Sequence, residues 1–135
     1  MVKIKGELTL QMFYEIIFED QFIEIDDQVK NKIKSSFDFL ETFSADKIIY
    51  GVNTGFGPMA QYKIKDAQRI ALQYNLIKSH ATGSGNVIPP IYVKASMLAR
   101  LNTLALGKSG VHDIVIDLMT TLINKNITPI IYEHG

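Results

Sequence analysis

The chain has 135 residues, 47% of them hydrophobic, with 14 basic side chains balancing 14 acidic ones and no cysteine. That is the size of one domain with enough apolar content for a core, so a disordered tail is excluded. The zero net charge, with Lys and Arg dispersed, excludes a strong electrostatic footprint for nucleic acid or an anionic membrane, and the lack of cysteine excludes disulfide staples and thiolate chemistry.

In chain order, Val2 to Lys5 reads as a strand. Thr9 then suits the N-cap of a helix carrying Leu10, Phe13, Tyr14 and Ile17 at helical spacing. Phe22 to Ile25 is a second short strand, and Asp26 or Asp27 caps a helix whose stripe is Val29, Ile33, Phe37 and Leu40. Lys47 to Tyr50 reads as a third extended piece leading into the glycine-rich stretch IIYGVNTGFGP. From Asp66 the pattern turns helical, with Ile70, Tyr74 and Ile77 inward and Thr82 to Gly85 as the stop. Pro89 and Pro90 open the next helix, since a first turn has no partners for its N–H groups anyway, and it runs through Leu98, Leu101 and Ala105 to Gly107. A last helix carries Val111, Val115, Leu118 and Leu122 and stops near Asn124 to Asn126. The whole reads as mainly α with minor short β-strands. The closing ITPIIYEHG is apolar, and two readings of it stand: a final strand tucked into the core, or a chain that continues beyond Gly135.

Two glycine motifs invite a nucleotide-binding reading and fail it. Gly55, Gly57 and Ala60 follow a predicted strand, but no Asp or Glu occurs between Ala67 and Val111 to hold a ribose hydroxyl, and Pro58 lacks an N–H for a pyrophosphate. Gly107-Lys108-Ser109 looks like the end of a Walker motif, but Asn102 stands where the first glycine of the cradle belongs. His112 and His134 have no partner at metal-ligand spacing, so no metal site is expected. The N-terminus has no apolar signal core and no apolar run approaches the roughly 20 residues of a membrane span, so the expected location is the cytoplasm.

The phrases YGVNTGFGPMAQ, LQYNLIKSHATGSG, ARLNTLALGKSGV and LINKNITPIIYEHG, in that order, resemble the N-terminal part of the histidine, tyrosine and phenylalanine ammonia-lyases. The resemblance runs almost the length of the chain. It implies the N-terminal part of an aspartase/fumarase-like helical lyase, with residues 1–135 forming a segment rather than an independent domain. The implied reaction removes ammonia from an aromatic amino acid to give the trans-2,3-unsaturated acid. The family's electrophile is a 4-methylidene-imidazole-5-one formed from Ala-Ser-Gly, and no such tripeptide occurs here. The resemblance therefore implies that the group forms outside this chain, that the remainder of the lyase polypeptide is the partner, and that the assembly is a cytoplasmic homotetramer.

By the same resemblance Tyr50 matches the tyrosine that removes a β-hydrogen of the substrate. Gly57 matches a position lying against the substrate, and Ser79 and His80 the pair facing its ring. Each has a plainer reading: a packed tyrosine, a turn glycine with positive φ, and a helix cap for His80. Asn53 and Thr54 are expected to organise the loop through side-chain hydrogen bonds. The Ser-His pair implies a polar ring, tyrosine or histidine, with a lean toward tyrosine from the neighbouring phrases. An alternative reading is a noncatalytic binding or assembly domain that keeps lyase motifs.

Overall fold

A computed structural model of the chain describes residues 1–64 and 66–134, with the side chains of Met59, Asp66 and Arg69 outside that description, and Gly135, where the segment read from sequence ends, outside it altogether. Strand β1 (Val2–Ile4) is followed by helix α1 (Leu10–Phe18), strand β2 (Ile23–Ile25) and helix α2 (Asp27–Ser44). Helix α3 (Asp66–His80), strand β3 (Ser84–Val87), helices α4 (Pro90–Ala105) and α5 (Asp113–Asn124), and strand β4 (Tyr132–His134) complete the order. The mainly helical fold with short strands is therefore as read from sequence. The chain divides into two compact units, one of residues 1–40 and 87–131, the other of residues 41–86 and 132–135.

In the first unit β1 and β2 run parallel, with Val2 opposite Ile23 and Ile4 opposite Ile25, so α1 is the crossover between them. Val2, Ile4, Ile23 and Ile25 point inward while Lys3 and Glu24 point out, as the two-residue period of a strand requires. The hydroxyl of Thr9 caps α1 by accepting from Met12 N–H at 3.2 Å, and Asp26 accepts from Gln28 N–H at 2.9 Å at the start of α2. That backbone N–H is the leading reason the Asp26 carboxyl sits below its ordinary range. Helix α4 packs on α1 and α5, and α5 packs on β2. Ile4, Ile16, Leu98 and Leu101 are completely buried at their centre.

Two asparagine side chains lock this unit across long stretches of sequence. Asn102 accepts from Leu8 N–H at 2.9 Å, and Asn124 both accepts from Ile23 N–H at 2.8 Å and donates to Ile23 C=O at 2.9 Å. The amide of Asn124 thus does for β2 what a neighbouring strand would do. Gly110 lies at φ +61° where it meets α2, and a Cβ there would sit 2.5 Å from Leu40 Cδ2. The Walker-like phrase is therefore the helix stop and close packing point between α4 and α5.

Several expectations are corrected. Lys47 to Tyr50 is a bend, coil and turn, because its backbone groups are taken by the side chain of Asn53 rather than by a ladder. In α1 the buried residues are Ile16 and Ile17 while Leu10 is 90% exposed, since IIF offers consecutive apolar residues and the sheet selects among them. In α5 the buried residues are Ile116 and Ile123, one step round from the predicted Val115, Leu118 and Leu122. DIVIDLMTTLI carries two overlapping stripes, and packing against α4 and β2 chooses between them. Ile70, Tyr74 and Ile77 of α3 are exposed rather than inward. The closing segment is not tucked into a core: β4 is exposed throughout and pairs with β3, a strand the glycines had hidden.

Candidate functional site

All four residues singled out from sequence, Tyr50, Gly57, Ser79 and His80, lie in the second unit. The loop that carries the first two is built from the inside. Asn53 and Thr54, only 4% and 2% exposed, are polar residues doing the work of a small core. Asn53 Oδ1 accepts from Ile49 N–H at 2.8 Å, while its Nδ2 donates to Ser44 C=O at 2.9 Å and Lys47 C=O at 2.7 Å. Thr54 Oγ1 accepts from Gly51 N–H at 3.3 Å and donates to Gly55 C=O at 2.8 Å. The returning limb is tied by Ile64 N–H to Asn53 C=O, by Gly55 N–H to Tyr62 C=O, and by an antiparallel bridge of Thr54 with Lys63. The expectation that Asn53 and Thr54 organise the loop agrees with these bonds.

Above this anchor the side chain of Tyr50 is presented outward, with the residue 63% exposed. Its ring meets Phe56 edge-on, with centroids 6.1 Å apart and planes at 80°, an arrangement aromatic quadrupoles favour. Phe56 is a contact the sequence reading did not assign. The only signal for it was its place in the same glycine-rich phrase. Gly57 opens a short 3-10 turn, Gly57–Met59, at φ +55°, a conformation that L side chains rarely adopt. Among the described residues, apart from its chain neighbours, no heavy atom lies within 4 Å of where its Cβ would stand, so the surface beside it is open to them.

Ser79 and His80 end α3, on its exposed side. His80 Nδ1 is 2.9 Å from Leu76 C=O and 3.0 Å from Ser79 Oγ, and the Ser79 hydroxyl also donates to Leu76 C=O at 2.9 Å. A carbonyl only accepts, so Nδ1 carries the proton, and in that tautomer Nε2 is the acceptor of the ring. The helix-cap reading of His80 thus describes one edge of the imidazole; among the described residues no hydrogen bond is made by the other. Lys78 places a cationic group in the last turn of α3, at the negative end of its dipole.

The structure therefore joins Tyr50 with Phe56 and Ser79 with His80. Among the described residues no hydrogen bond links the two pairs. Nor is there, among them, a cluster of three or more His, Cys, Asp or Glu side chains arranged for a metal, or a helix long and apolar enough to cross a membrane.

A family model described as aromatic amino acid lyase matches residues 8–135. The probable histidine ammonia-lyase of Thermoplasma volcanium is 39% identical over 137 aligned positions, covering 100% of this chain and 28% of that protein. Among solved structures, the tyrosine aminomutase from Streptomyces globisporus is 32% identical with a TM-score of 0.88 over 99% of this chain and 26% of its own. The histidine ammonia-lyase from Trypanosoma cruzi is 28% identical with a TM-score of 0.82 over 96% of this chain and 26% of its own. The chain spans between 26% and 28% of the length of these proteins.

Proposed function

The chain belongs to the aromatic amino acid lyase family, and from that premise we propose that it is the N-terminal portion of an ammonia-lyase acting on an amino acid with a polar ring, tyrosine or histidine. One observation carries the reading: an outward-facing phenol, Tyr50, stands on a loop that buried Asn53 and Thr54 hold from beneath. A packing tyrosine needs no such pedestal. A β-hydrogen of an amino acid is a poor acid, and a tyrosine oxygen held at the end of a fixed loop is suited to act as the base that takes it as the C–N bond breaks.

The electrophile implied by the family, 4-methylidene-imidazole-5-one, cannot form from this chain, which has no Ala-Ser-Gly. The exposed Tyr50 fits a group presented by other parts of the polypeptide, and when bound that group supplies the electron-poor centre that turns the amine into a leaving group. The residues of this chain then hold the substrate and move its proton. Gly57 leaves room beside the loop, as the open space around it allows. His80 offers Nε2 as an acceptor to a phenol O–H or an imidazole N–H, and Ser79 holds the imidazole through their 3.0 Å contact. We place the finished enzyme in the cytoplasm as a homotetramer of the longer polypeptide, with no part in nucleic-acid or membrane binding.

The test is to supply the complete polypeptide with histidine, tyrosine and phenylalanine and to measure ammonia together with the ultraviolet absorbance of the unsaturated acid. Ammonia released in step with urocanate or coumarate supports the reading. A β-amino acid formed without ammonia would move the activity to an aminomutase. No turnover of any of the three would leave a noncatalytic binding or assembly segment.

A further inference from the structure

The two residues flanking Tyr50 are each pinned by a buried side chain: Ile49 through its N–H to Asn53 Oδ1 at 2.8 Å, and Gly51 through its N–H to Thr54 Oγ1 at 3.3 Å. Asn53 does the larger share. Its Nδ2 also holds Ser44 C=O in the last turn of α2 and Lys47 C=O in the bend that follows, and its own backbone binds Ile49 C=O and Ile64 N–H. One side chain thus fixes the helix end, the bend and the residue before Tyr50, while none of its hydrogen bonds goes to the Tyr50 ring or hydroxyl. We propose that Asn53 is the positioning residue for Tyr50, setting the direction from which the phenol meets the substrate; this rests on the reading of Tyr50 as the base.

The chemistry of the side chain is specific. The loop presents one N–H and two carbonyls to it, and only a primary amide supplies one acceptor and two donors within that length. Asn53→Asp keeps the shape but turns an oxygen toward Ser44 C=O and Lys47 C=O. Asn53→Ser retains a single hydroxyl and perturbs the loop less.

A four-member cycle in the complete polypeptide tests this: parent, Asn53→Asp, Tyr50→Phe, and the double variant, each with kcat and KM. A catalytic group displaced by about 1 Å loses on the order of 10²-fold, so Asn53→Asp should lower kcat by about 10- to 100-fold with little change in KM. In the Tyr50→Phe background the same substitution should cost no more than about twofold, the scale on which independent sites remain additive, because no phenol is left to misplace. Amide exchange at Ile49 should quicken in either background. An equal loss of kcat in both backgrounds would make Asn53 a general structural residue and overturn the proposal. If Asn53→Asp does not fold, Asn53→Ser enters the same cycle with the same two outcomes. Full turnover by Tyr50→Phe alone would remove the base reading and the role of Asn53 with it, which separates that failure from the first.

Discussion

Lys94 Nζ donates to Asp20 Oδ1 at 2.9 Å, joining an ammonium on a side chain 9% exposed to a carboxylate on one 69% exposed. Asn126 Nδ2 supports the same oxygen at 3.3 Å, and Asp20 and Asn126 both reach it from positive φ, at 50° and 53°. The hydrogen bond from Lys94, then that from Asn126, holds the Asp20 carboxyl below its ordinary value. Removing one partner of such a pair strands the other, and the two sides are unequal because only the lysine is cut off from water. Asp20→Ala should therefore lower Tm by several degrees, whereas Lys94→Met, apolar and of similar length, should leave Tm unchanged or raise it. A folded pKa lowered below the unfolded one gives stability that is present above about pH 3.9 and is lost as pH falls through the folded value. Asp20→Asn should flatten that acid limb, as read by thermal melts between neutral and strongly acid pH.

Gly110→Ala should destabilise the first unit for two separable reasons. Its φ of +61° costs about 1 to 3 kcal/mol for a residue with a Cβ, and that Cβ would meet Leu40 Cδ2 at 2.5 Å. Adding Leu40→Ala relieves the second and not the first. Denaturant melts of the double variant should thus recover only part of what Gly110→Ala loses once the cavity cost of Leu40→Ala alone is subtracted.

Tyr50→Phe in the complete polypeptide deletes only the hydroxyl, and the edge-on contact with Phe56 is retained by the ring. Turnover should fall by about 10² to 10⁴-fold, the range for positioned proton transfer, while the affinity for an unreactive substrate analogue changes much less. Retention of most of kcat would make Tyr50 a loop-packing residue.

His80→Leu removes both edges of the imidazole. A site built to bond a polar ring rejects the analogue lacking it far more strongly than an apolar site rejects a similar shape. The variant should shift toward phenylalanine in kcat/KM, relative to a parent that favours tyrosine or histidine. An unchanged ranking would leave His80 with the cap at Leu76 C=O as its whole task.

What was legible in the sequence was what local chemistry decides. Thr9 caps α1, Asp26 precedes α2, and Pro90 begins α4, each because one side chain or ring determines the backbone next to it. The choice of buried face was not legible where apolar residues are adjacent, because a neighbouring element selects it: α5 turns Ile116 rather than Val115 inward. The stretch 47–50 misled for a related reason. Its β-branched residues suit a strand, but the hydrogen bonds that would make one are claimed by Asn53, a residue later in the chain. At the candidate site the residue types were visible in the loop phrase. The burial of Asn53 and Thr54 beneath an exposed Tyr50 was not, because a polar pair serving as a core breaks the usual pattern.

The asparagine locks at Leu8 and Ile23 span 94 and 101 residues. A ribosome adding about 5 to 20 residues per second therefore releases β1, α1 and β2 roughly 5 to 20 s before Asn124 exists to seal them. Until α4 and then α5 have been made, Val2, Ile4, Ile16 and Ile23 lack the helices that cover them in the finished core, so the nascent chain exposes apolar surface for that time. Synonymous codons that slow translation between residues 41 and 86 prolong that exposure without altering a single side chain, and in a heterologous host they should change the soluble yield more than slow codons placed after Asn124.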